Sequence, residues 1–173
     1  MIRGRYLLST DDTTDVFHIR EQVFVDEIGF DVATERDEYD SMAVYALIYD
    51  EEEQPVGTGR LYVDDEGRFT LGRVCVLKLA RGGQIGDLIA RMLLARAIDL
   101  NAHAIYADAL IDTVDFFTRY GLRPISDVKT RQGAAYRTLC AQRDEIDLDG
   151  SCKKQSGACN HCASDCANCS KEE

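Results

Sequence analysis

Apolar positions along this chain switch between a period near two and a period near three and a half, and each switch marks the edge of an element. Tyr6, Leu7 and Leu8 form a first short strand. Ser9 to Asp12 offers N-cap candidates; Val16, Phe17, Ile19, Val23 and Phe24 then keep roughly helical spacing through Val25, until Gly29 breaks it. Residues 43–49 and 55–63 read as strands joined by a charged turn. A third strand over 69–77 follows Asp64-Asp65-Glu66-Gly67, where Gly67 supplies a positive φ, so the three make an antiparallel meander. Ile85, Leu88, Ile89, Met92 and Leu93 return at helical spacing, with Asp87, Arg91 and Asp99 on the wet side. An apolar strand over 104–110 comes next, then a short helix over 112–120 ended by Gly121, and a closing hairpin of 125–128 and 135–141 around Gly133. This order predicts an α+β domain over residues 1–146: a mixed, mostly antiparallel twisted sheet with helices on both faces.

The densest chemistry lies where the third strand meets the long helix. Val74, Cys75, Val76 and Leu77 form a buried strand; Gly82, Gly83 and Gly86 follow, and the helix begins directly after them. A glycine-rich turn at a helix start lets several unpaired N–H groups converge, with the positive end of the macrodipole behind them. Such a turn is an anion site that a pyrophosphate fits. No Gly-Lys-Ser/Thr follows, so it is not a nucleoside triphosphate P-loop, and the Gly-x-Gly-x-x-Gly spacing of dinucleotide folds is absent.

The stretch resembles motif A of the GNAT superfamily of acyl-CoA-dependent N-acyltransferases, Arg/Gln-x-x-Gly-x-Gly/Ala after a strand. Arg81 and Gly86 stand where that pattern wants them, while Gln84 replaces its first glycine and Gly82 and Gly83 sit just before. A backbone contact to pyrophosphate survives the Gln84 side chain if the residue keeps φ below zero. A second match is Arg20-Glu21-Gln22-Val23-Phe24-Val25-Asp26-Glu27 with Asp37-Glu38-Tyr39-Asp40 downstream, which resembles the opening of the ElaA-like branch and its acceptor-side wall. The resemblance covers roughly residues 5–141.

It implies acetyl-CoA as co-substrate, with the backbone of Val74, Cys75 and Val76 along the pantetheine and the turn Arg81, Gly82, Gly83, Gln84, Ile85, Gly86 and Asp87 at the diphosphate. The Val76 N–H would polarise the thioester carbonyl. The reaction would be direct attack by a neutral amine, so a base must take its proton. Glu27 is the first candidate, with Asp37, Glu38 and Asp40 behind it. Family members often protonate the leaving thiolate from a tyrosine where this chain carries Phe117, in Phe116-Phe117-Thr118-Arg119-Tyr120-Gly121. Tyr120, Tyr136 or water is left for that role. Cys75, alone in an apolar strand, reads as core filler.

The net charge of −11 argues against nucleic acid and suits a cationic acceptor, a small-molecule or peptide amine. No run approaches the ~20 apolar residues that span a bilayer, and the N-terminus lacks a signal-peptide pattern, so a cytoplasmic protein without a membrane partner is expected. A homodimer stays open.

Beyond residue 146 the composition changes. The segment 147–173 carries Cys152 and then Cys159-x-x-Cys162-x-x-x-Cys166-x-x-Cys169, with no apolar residue larger than alanine after Leu148. In a reducing compartment Cys159, Cys162, Cys166 and Cys169 read as a clamp for zinc or an iron–sulfur cluster, or else as a thiol-rich tail without metal. The expected function is therefore an N-acetyltransferase. The alternatives are a non-catalytic acyl-CoA-binding module whose tail senses metal or redox state, and a metal-storage protein.

Overall fold

The computed structural model describes residues 1–131 and 133–149. Its centre is an eight-stranded sheet. Strands β1 (Arg3–Leu8), β2 (Val44–Tyr49), β3 (Pro55–Val63) and β4 (Phe69–Val76) run as an antiparallel meander, as the alternating pattern predicts. The long helix α3 (Ile85–Asp99) returns the chain to β5 (Ala104–Leu110), which lies parallel to β4. Strand β8 (Ala134–Gln142) then pairs antiparallel with β5 and carries two short strands, β6 (Arg123–Pro124) and β7 (Lys129–Arg131).

Helices cover both faces. On one, Ile85, Ile89, Leu93 and Leu94 of α3 pack on Ala46, Ile48, Leu61, Leu71 and Ile105. Ile146 and Leu148 join this core, and Arg91 Nη2 bonds the Asp149 carbonyl at 2.9 Å. On the other, α1 (Thr14–Arg20) inserts Val16 and Ile19 against Leu7, Tyr45 and Leu47. This helix does not stop at Arg20 but widens into a π-helical stretch, Glu21–Glu27, where the Ile28 amide reaches the Val23 carbonyl at 3.1 Å. Gly29, at φ 89°, ends it. A one-turn helix, α2 (Val32–Glu35), follows.

The closing segment differs from the expected hairpin. Residues 125–128 do not form a strand, and Ile125 and Val128 face solvent. The Thr138 amide bonds the Ser126 hydroxyl at 3.0 Å, so a side chain takes the place of a ladder carbonyl and pairing resumes only at Lys129. Among the described residues, no helix is long and apolar enough to cross a membrane.

Candidate active site

The pairing of β4 with β5 ends early. Only Phe69, Thr70 and Leu71 have partners on β5, whereas β5 continues to Leu110 beside β8. The cause is a bulge. Thr58 faces Cys75 but Arg60 faces Gly72, so β4 carries one residue more than β3 over this interval. Within it Arg73 sits at φ 53°, a left-handed conformation, and its guanidinium donates to the Glu35 carbonyl at 3.0 and 3.2 Å and to Glu35 Oε1 at 3.1 Å. Beyond the bulge the strands part, and a cleft of about 770 Å³ opens between them.

Val74, Cys75 and Val76 form one wall of the cleft. Arg81, Gly82, Gln84, Ile85, Gly86 and Asp87 form its end, and Glu27 stands at its rim. Leu77 N–H donates to the Val56 carbonyl at 2.9 Å, so alternation turns the polar groups of Val76 away from β3 and toward the cleft. The first amides of α3 have no carbonyl one turn behind them, and no side chain caps them. Gly83 lies outside the lining. Gln84 departs from expectation: it is left-handed at φ 60°, where glycine is at ease and a β-carbon is strained.

The catalytic candidates are placed as follows. Glu27 grips Arg81 in a two-bond ion pair, 2.6 Å to Nη1 and 2.7 Å to Nη2, while Arg81 Nε donates to the Val76 carbonyl at 3.0 Å. The hydrogen bond from Arg81 holds the Glu27 carboxyl below its usual range. Tyr120 is fully buried beneath the first turn of α3, outside the cleft lining, and its hydroxyl donates to Asp87 Oδ1. Burial, and then that carboxylate, raise the phenol above its ordinary value. Phe117, in α4 (Val114–Thr118), lines the cleft with Phe116 and offers no proton. Burial pushes the Cys75 thiol up to about 12, in keeping with core filler.

Asp37 and Asp40 are engaged as well. Arg60 meets Asp37 and Asp40 at 2.6 Å, and Arg20 meets Asp40 at 2.6 Å and Glu35 at 2.8 Å. Burial alone would raise the Asp40 carboxyl, but the Arg20 hydrogen bond and the charges of Arg60 and Arg20 hold it far below the carboxylate range. The second sequence match thus corresponds to a charge network that joins α1, α2 and the 37–40 turn to β3.

A smaller cavity of about 90 Å³ adjoins the cleft. The two share Phe24, Val74, Leu110, Thr113 and Phe117 as walls. Asp108, Arg131 and Tyr136 line it as well. Sequence reasoning passed over Asp108, although an acid inside the apolar strand 104–110 was a visible anomaly. Among the described residues, no cluster of His, Cys, Asp and Glu could hold a metal ion. Cys159, Cys162, Cys166 and Cys169 lie outside the described residues.

Comparison with known proteins agrees with this geometry. The Acetyltransferase (GNAT) family matches residues 12–122. The chain is 35% identical over 113 residues to an uncharacterized N-acetyltransferase of Bacillus subtilis, YjcF, covering 65% of this chain and 79% of that protein. In fold it is similar to an acyl-CoA N-acyltransferase from Pseudomonas aeruginosa, with a TM-score of 0.70 at 20% identity over 81% of this chain and 99% of that one. ElaA of Escherichia coli gives a TM-score of 0.70 at 19% identity, over 82% of this chain and 100% of its own. Sequence match and fold together favour catalysis over a non-catalytic coenzyme-binding module. The chain belongs to the GNAT acetyltransferase family and is an acyltransferase that moves an acyl group from acyl-CoA to an amine.

Proposed function

We propose that the donor is acetyl-CoA and the acceptor a primary amine of a small molecule or peptide. The observation that carries this reading is the parting of β4 from β5 at the Arg73 bulge, which leaves a cleft with outward amides on one wall and a helix start at its end. Backbone groups of Val74 to Val76 suit an extended amide-bearing arm, which would complete the sheet edge. The free amides of α3 with Gly82 and Gly86 suit a diphosphate. Arg81 and Glu27 form a charge-compensated pair at this end, and Glu27 positions Arg81 rather than serving as base, since a carboxylate tied by two bonds has little affinity for a proton.

The Val76 N–H, turned away from β3, suits a single oxyanion donor to the thioester carbonyl. The amine nitrogen then attacks the carbonyl carbon, and the thiolate departs without Phe117 as donor. Tyr120, buried under α3, is assigned to orient Asp87. The test is titration calorimetry with acetyl-CoA, followed by thiol release over a panel of primary amines. Binding heat and amine-dependent thiol release are expected; neither appearing would sink the reading.

The four tail cysteines are proposed to clamp zinc or an iron–sulfur cluster in a reducing cytoplasm. Their paired spacing is what supports it. Metal analysis of the intact chain beside the Cys159→Ser/Cys162→Ser variant should show metal lost in the variant; equal content in both would refute the clamp.

A further inference from the structure

The cavity beside the cleft has a mixed chemistry. Part of its wall is apolar: Phe24 and Phe30, stacked at 5.7 Å, and Phe117. Its volume of about 90 Å³, beside about 770 Å³ for the cleft, favours a narrow group over a branched one. Strand alternation brings Asp108 to the cavity while Ala107 and Ala109 turn into the core. Thr138 Oγ1 donates to Asp108 Oδ1 at 2.8 Å and so fixes the carboxylate plane. The other oxygen, Oδ2, faces the half-exposed Arg131 at 3.9 Å, beyond hydrogen-bond range. Arg73, the other cation on this wall, is directed to Glu35, and the neighbouring acids Asp37 and Asp40 to arginines, so their charges are largely answered locally. Tyr136 completes the rim.

Resting on the transferase reading above, we infer that Asp108 is the catalytic residue that seats the acceptor as an ammonium, and that the acceptor is a slim primary amine on an unbranched carbon. The ammonium displaces Arg131 from Oδ2 and lies at the junction with the cleft. One N–H bond breaks as its proton passes to the Asp108 carboxylate. The freed lone pair forms the C–N bond, the C–S bond breaks, and the electron pair leaves on sulfur. The thiolate takes a second proton from the nitrogen as the amide forms, and Asp108 returns its own to solvent. Ammonium, thioester and carboxylate thus become amide, thiol, carboxylate and one free proton.

The experiment compares ethylamine with methoxyamine, which is nearly isosteric with it but uncharged near neutral pH. For Asp108→Asn, kcat/KM for ethylamine should fall on the order of 10- to 100-fold, through kcat as well as KM, as for loss of a charge that both binds the ammonium and takes its proton. The wild-type to variant ratio for methoxyamine should stay near unity, and acetyl-CoA heats should be unchanged. Thr138→Val, which loosens Oδ1 without removing the charge, should show a smaller loss confined to ethylamine. It keeps the test decisive if the first variant fails to fold. An equal loss for both amines, no loss for ethylamine, or equal turnover of isopropylamine by the wild type overturns the inference. Absence of both coenzyme heat and thiol release in the wild type would instead remove the transferase reading on which it stands.

Discussion

Gln84 shows how one side chain sets the quality of an anion site. It occupies the last position before α3 at φ 60°, and no side-chain hydrogen bond there compensates for the conformation. An L-residue held so costs about 1–2 kcal/mol relative to its favoured basin, a cost glycine does not carry. Gln84→Gly should therefore stabilise the chain by about 1 kcal/mol, read as a higher urea midpoint at unchanged slope. It should also lower the KM for acetyl-CoA, because the first amides of the helix would settle on the diphosphate without strain. Gly82, at φ 86° with open space around it, makes the reciprocal case: Gly82→Ala should destabilise by a similar amount through conformation alone. If both substitutions left the midpoint where it was, left-handed strain would not be what shapes this turn.

The placement of α3 is an element-scale matter, settled on β3. A β-carbon at Gly57 would stand 2.8 Å from Ile85 Cγ2 and 3.3 Å from the Cys75 carbonyl; one at Gly59 would stand 2.8 Å from Ile89 Cγ2. The two glycines let the helix lie close on the strand, which holds its first turn at the end of the cleft. Gly57→Ala must push Ile85 outward, and overpacking of this kind costs about 1–3 kcal/mol. The expected signature is a raised KM for acetyl-CoA with the amine KM unmoved, since Ile85 lines the cleft and not the smaller cavity proposed for the acceptor. Equal shifts in both would mean that α3 is not seated by this contact. The strand and helix were legible in sequence because their signals are local: alternation over 55–63, helical spacing from Ile85 and a run of glycines between strand and helix. The family resemblance implies a bulge where the strands part, but its place at Arg73 was not legible. Arg73 is a poor candidate for a left-handed residue, and what holds it there is Glu35, which is 38 positions away and whose approach no spacing announces.

Across the whole molecule, six charged side chains tie the helices and turn before β2 to the bulge: Arg20 on α1, Glu35 on α2, Asp37 at the cap of the turn Glu38–Ser41, Asp40 within it, Arg60 on β3 and Arg73 on β4. The sequence marked Arg20 and the Asp37–Asp40 stretch as a unit, but only the tertiary pairing shows that their charges face one another; Asp108 stood out locally as an acid in an apolar strand, and only its cavity partners are non-local. Asp40 is the hub, shared by Arg20 and Arg60 and accepting the Tyr45 hydroxyl at 3.0 Å. Its side chain is only 10% exposed, so removing its charge leaves two buried guanidiniums short of a partner. Asp40→Asn should cost about 3 kcal/mol at neutral pH, as for a broken buried pair. The pH dependence fixes the cause. The folded carboxyl titrates below the unfolded value of about 4, so its contribution is fully present above that value and is lost as pH falls through the folded one. Urea unfolding across a pH series should then show wild type and Asp40→Asn far apart at neutral pH and converging as the solution is acidified. A gap that held constant down to the acid limb would mean that Asp40 contributes packing rather than charge, and the brace around the bulge would have to be sought elsewhere.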